Sequence, residues 1–113
     1  MDLSFNEYQQ LAMRTFSGAA QGEMVLVNAA MGLCGESGEV ADHLKKHLFQ
    51  GHELDVKHLS KEVGDILWYC ALFAEAAGIS LGEIAQANVD KLKARYPDGF
   101  TVERSLHRTA EDD

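Results

Sequence analysis

Four acidic residues raise the chemical question. Glu36 and Glu39 stand three apart in "GESGE", and Glu62 and Asp65 stand three apart in "KEVGD". Residues at i and i+3 share one side of an α-helix. Two helices packed along apolar stripes would bring all four carboxylates to the edge of their contact. Clustered carboxylates repel and raise one another's pKa values. A hard divalent cation removes that conflict. Magnesium takes oxygen ligands in octahedral geometry and keeps waters and positions for substrate phosphates. One such acid pair is common on a solvated helix face. Two pairs, each beside an apolar stripe and each enclosing a glycine (Gly38, Gly64), weigh as much toward a site as toward solvated faces. Neither pair has histidine as its second member, so di-iron motifs of the Glu-x-x-His type do not fit. His43 continues the Glu39 line by one turn, either as a partner of the acids or as a surface histidine.

Helices must position these residues, because strand-like alternation is nearly absent and 3.6-residue spacing dominates. The spacing predicts a first helix over about residues 4–17, opened by Ser4 and Glu7 as a capping box. The second runs from about Met24 to Phe49 on a stripe of Leu26, Ala30, Leu33, Val40, Leu44 and Leu48, and stops at Gly51. The third runs from about Asp55 to Ala77 on Leu59, Val63, Ile66, Cys70 and Phe73. The fourth starts after Ser80 and ends near Pro97, with Leu81, Ile84, Ala85 and Leu92 inward. A short helical turn is expected at 102–106. Gly32, Gly35 and Gly38 each cost the second helix about 1 kcal/mol relative to alanine. That cost predicts close approach of another backbone or a ligand.

The expected fold is therefore all-α, a four-helix bundle-like subunit. One domain covers 1–105, and 106–113 form a flexible polar tail. Four short helices with this much apolar surface would leave some exposed, so oligomerisation is expected to complete the fold.

Bulk properties narrow the partners. The formal charge of −8 argues against a nucleic-acid polymer bound on a broad basic surface. No apolar run approaches the roughly 20 residues of a membrane span, so no membrane partner is expected. The opening "MDLSFNEYQQ" lacks a basic segment followed by an apolar one, and a cytoplasmic location is expected. Cys34 and Cys70 are read as buried free thiols inside apolar-periodic segments. A phosphate-bearing substrate would need a cation to mediate.

The segments "FNEYQQLAMRT", "GESGEVADHLKK", "KEVGDILWY" and "NVDKLKARYPDGF" together resemble the MazG-like nucleotide pyrophosphohydrolases of the all-α NTP pyrophosphatase superfamily. The family signature is Glu-x-x-Glu, a spacer, then Glu-x-x-Asp. The resemblance covers about residues 5–100. Gly35 departs from it, since many relatives carry an additional glutamate there.

The resemblance implies hydrolysis of (deoxy)nucleoside triphosphates between the α and β phosphates, giving monophosphate and pyrophosphate. It implies magnesium on Glu36, Glu39, Glu62 and Asp65, with manganese able to substitute. Glu36 or Glu39 would orient the attacking water. Asn88, Lys91 and Arg95 form one line on the fourth helix; the resemblance makes them phosphate ligands, against a plain solvated face. Tyr69, one turn past Asp65, and Lys46, two turns past Glu39, are further substrate contacts. Trp68 and Phe73 are read as core or subunit interface rather than base-stacking groups. Tyr8, Gln9, Met13 and Asn28 are the residues available near a base pocket, none assigned. Relatives form homodimers or homotetramers. Two other readings stand beside this one: a hydrolase of an alarmone or nucleoside diphosphate, and a non-catalytic helical dimerisation or regulatory module.

Overall fold

Ser4 fixes where the chain first becomes helical. Its hydroxyl accepts from the Glu7 amide at 3.0 Å, and Glu7 Oε1 accepts from the Ser4 amide at 3.0 Å. This capping box opens α1, Phe5–Met13. The computed structural model describes residues 2–18 and 20–108. Four further helices follow: α2 Glu23–Gln50, α3 Val56–Ala77, α4 Leu81–Arg95 and α5 Val102–Leu106. The chain is all-helical over the described residues, as expected. Of the tail expected at 106–113, residues 109–113 lie outside the described residues.

The helix ends follow local chemistry. Gly51 and Gly78 adopt φ of 74° and 73°, a left-handed conformation that glycine enters without steric cost, and close α2 and α3. Asp55 caps α3 by accepting from the His58 amide at 3.0 Å. The first helix stops short of the expected residue 17. Thr15 Oγ1 donates to the Ala12 carbonyl at 2.6 Å, and Trp68 Nε1 donates to that carbonyl at 3.2 Å and to Thr15 Oγ1 at 2.7 Å. These bonds take the carbonyl that a further turn would need.

By contact pattern the chain divides into two compact units, Met1–Leu81 and Gly82–Asp113. In the first, α3 packs against both α2 and α1. Its core is small: Ala12, Ala29, Ala71, Ala74 and Leu81 are buried, and Leu72 is the largest fully buried side chain among the described residues. Gln9 is buried too. Its amide nitrogen donates to Glu75 Oε1 at 3.1 Å and to the Ile79 carbonyl at 3.3 Å, while its oxygen accepts from the Leu81 amide at 2.6 Å. One side chain thus ties α1 to the α3 C-terminus. In the second unit, Arg104 of α5 donates to the Arg95 and Ala94 carbonyls at 2.8 and 3.3 Å, closing the C-terminal end of α4.

The apolar stripes are only partly inward, and of the two thiols expected to be buried Cys34 is exposed and Cys70 half-buried. Leu33, Val40, Leu59 and Ile66 are half-buried, but Leu44, Val63 and Phe73 are exposed and Leu48 is 70% exposed. The three glycines of α2 also differ. A Cβ on Gly32 would overlap the Tyr69 ring, whereas one on Gly35 or Gly38 meets nothing within 4 Å. The close approach expected from the glycines is thus a Tyr69 contact at Gly32 alone. Gly32→Ala is expected to destabilise by about 1–3 kcal/mol through overpacking. Gly38→Ala is expected to be neutral or stabilising by up to about 1 kcal/mol. Urea unfolding midpoints check both.

Candidate metal centre

The α2–α3 contact carries the acids. Glu36 lies between half-buried Leu33 and Val40 on the inner line of α2, and is itself half-buried. The expectation set the acids at the border of the stripe; Glu36 instead stands within it. Glu62 is the more enclosed acid of α3, its side chain 13% exposed, and Asp65 is exposed one turn on. Oxygens of Glu36, Glu62 and Asp65 lie within 4.8 Å of one another. Glu39, on the exposed side of α2, stands outside this trio but reaches Glu62.

The electrostatics record the crowding. Glu36 is raised above the usual carboxylate range, first by hydrogen bonding with Glu62, then by burial and by the charges of Glu39, Asp65 and Glu62. Glu39 is raised first by hydrogen bonding with Glu62, then by the Glu62 charge, burial and Asp65, with His58 opposing. One carboxyl bonds another only by carrying a proton. Glu36 Oε2 is buried without a hydrogen-bond partner. A buried acceptor left without a donor is costly. An all-oxygen donor set with such an orphaned atom fits a hard divalent cation.

Other candidates are placed as follows. Tyr69 leans on Gly32, meets Trp68 edge-on at 5.0 Å between ring centroids, and lines an open hollow of about 360 Å³ with Glu36, Asp65 and Trp68. Tyr8 of α1 is raised above the usual phenol range by burial first, then by Asp65 and Cys70. Lys46 is bonded to Asp42 at 3.0 Å and opens onto a different hollow, at the α2–α3 turn, with His43, His52 and Asp55. Asn88 and Lys91 are exposed, and Arg95 half-buried, on α4 of the second unit. Gln9, available for a base pocket, is committed to the clamp on α3. His43 is no isolated surface residue: its ring stacks on His58 at 4.4 Å. His58 in turn reaches Glu62 Oε1 from Nε2 at 3.2 Å. Sequence reasoning missed His58, although its position four residues before Glu62 was a usable signal.

The MazG nucleotide pyrophosphohydrolase domain family matches residues 27–100. The chain belongs to the MazG family. The matched span includes all four acids and the whole of α4. The gene 37 protein of Mycobacterium phage L5 is 33% identical over 100 residues, covering 81% of this chain and 88% of the phage protein. No solved structure matches. MazG enzymes use divalent metals, and Glu36, Glu62 and Asp65 have the geometry to hold one.

The raised pKa values have a thermodynamic consequence. A carboxyl whose folded pKa exceeds its unfolded value stabilises the fold in acid, and that contribution is lost as pH rises through the folded pKa. Without metal, the melting temperature is expected to fall as pH rises above the ordinary carboxylate range, because Glu36 and Glu39 are raised in the fold. The fall should be smaller in Glu36→Gln. Millimolar magnesium should raise the wild-type melting temperature more at the alkaline end, where protons no longer compete. Parallel wild-type and variant curves, in thermal melts followed by circular dichroism, would contradict a raised Glu36 carboxyl in the fold.

Proposed function

We propose that this MazG protein hydrolyses (deoxy)nucleoside triphosphates between the α and β phosphates, releasing nucleoside monophosphate and pyrophosphate, with magnesium as cofactor. Cytosolic nucleotide pools are its field of action. The observation that carries this reading is the convergence of Glu36, Glu62 and Asp65 oxygens, with Glu36 Oε2 buried and unpartnered, in a chain of this family.

Glu36, Glu62 and Asp65 would hold the metal. Magnesium, or manganese in its place, supplies charge for phosphate oxygens and lowers the pKa of nearby water. Glu39 orients the attacking water and accepts its proton, because it stands beside the trio rather than within it. Tyr69 shapes the hollow beside Glu36 and Asp65, and its phenol donates to a phosphate oxygen. Asn88, Lys91 and Arg95 take the outer phosphates. Lys46 is a weaker contact, given its bond to Asp42. These roles let a chain of charge −8 accept a polyanion as its magnesium complex.

The same reading includes a homodimer or homotetramer. Met24, Met31, Leu48 and Phe49 are each at least 60% exposed in the single chain, more apolar surface than a lone small domain usually shows. Light scattering should return a multiple of the 12.4 kDa chain mass. A monomer at every concentration contradicts the assembly.

Activity is tested by incubating a panel of nucleoside triphosphates with magnesium and identifying products. Monophosphate plus pyrophosphate is expected, and Glu62→Gln should lower turnover about a hundredfold or more while the helical circular dichroism signal persists. Diphosphate plus orthophosphate contradicts the cleavage position. A fully active Glu62→Gln contradicts the metal site.

A further inference from the structure

A histidine pair stands against the acid cluster, and neither member has a role in the reading above. His58 sits on the first turn of α3, four residues before Glu62, so both project from one side of the helix. Its Nε2 lies 3.2 Å from Glu62 Oε1. On a lone helix such a pair would be a loose, solvated contact. Here the ring has a second constraint from another helix. His43 of α2 stacks on it, with centroids 4.4 Å apart and ring planes 22° from parallel. His43 is half-buried, and Glu62 is the more enclosed acid of its helix. The stack thus spans the α2–α3 contact one turn from the acids and fixes the plane of the His58 imidazole.

We propose that His58, held in place by His43, is a positioning residue for Glu62: its Nε2–H donates to Oε1 and sets the rotamer in which Glu62 faces Glu36 and Asp65. The inference rests on the metal-centre reading and goes beyond it, because the family signature contains only acids. A carboxylate must reach its cation in a narrow range of orientations, and the groups bonded to ligating carboxylates control this. The bond requires the proton on Nε2. Nδ1 is then the acceptor of the neutral ring. The stack holds the ring against rotation about χ2, which would swing Nε2 away from Glu62. The proposal needs no change of protonation, only the Nε2–H donor.

The test is direct manganese binding, by electron paramagnetic resonance of the free ion and by calorimetry, on the purified full chain. His58→Ala should weaken manganese affinity tenfold or more, the range seen for groups that orient metal ligands. His58→Gln places an amide donor near the position of Nε2 and should restore affinity to within about threefold. His43→Ala should give a smaller loss, since the donor remains and only its lock is gone. Circular dichroism and melting temperature identify any variant that merely unfolds; His58→Gln serves as the folded control for the site. Affinity within twofold of wild type in a folded His58→Ala overturns the proposal, as does a His58→Gln that binds no better than His58→Ala. Wild-type protein that binds no manganese overturns the metal centre itself, and this proposal with it.

Discussion

Carboxylates pressed together at a helix–helix contact are the constraint on which the rest depends. Glu36 occupies a place on the inner line of α2 where an apolar residue would add to the core. Glu62 and Asp65 meet it from α3 within 4.8 Å. Unneutralised, this arrangement opposes folding, by mutual repulsion and by stripping water from Glu36 Oε2. The surrounding structure is what keeps it from dispersing. Tyr69 settles into the space left by Gly32 and brings α3 close to α2. Trp68, the next residue back, anchors the end of α1 through Thr15 and Ala12. Gln9 fastens the other end of the α1–α3 contact. The aromatic pair and the buried amide act as fixed points that hold these carboxylates together.

Chemistry and fold therefore draw on the same contact. Leu72 is the largest fully buried side chain among the described residues, and alanines make up most of the buried apolar core. A contact of small residues lets the backbones approach and lets short acidic side chains converge. It also buries little apolar area, and hydrophobic stabilisation scales with that area. The exposed methionines and leucines of α2 are consistent with burial supplied by further copies of the chain.

Much of this was legible in the sequence, for identifiable reasons. Capping is local, so Ser4 with Glu7, Gly51, Gly78 and Pro97 located the helix ends within a few residues. The paired acids were visible because an i, i+3 spacing is a property of one helix. What depended on a neighbouring helix was not visible. Periodicity names a face but not what covers it, so Val63, Phe73 and Leu48 read as core and are exposed. Three equivalent glycines hid one Tyr69 contact at Gly32. The early end of α1 follows from Trp68, fifty-six residues away in sequence, bonding to Ala12. The His43–His58 stack joins two helices, and no single-helix pattern encodes it.

If Glu36, Glu62 and Asp65 jointly coordinate one divalent cation between α2 and α3, anomalous scattering from manganese-loaded crystals will show a manganese peak at coordination distance from oxygens of all three residues, with Glu36 Oε2 among them. A peak elsewhere on the chain, or none at saturating manganese, would contradict this coordination.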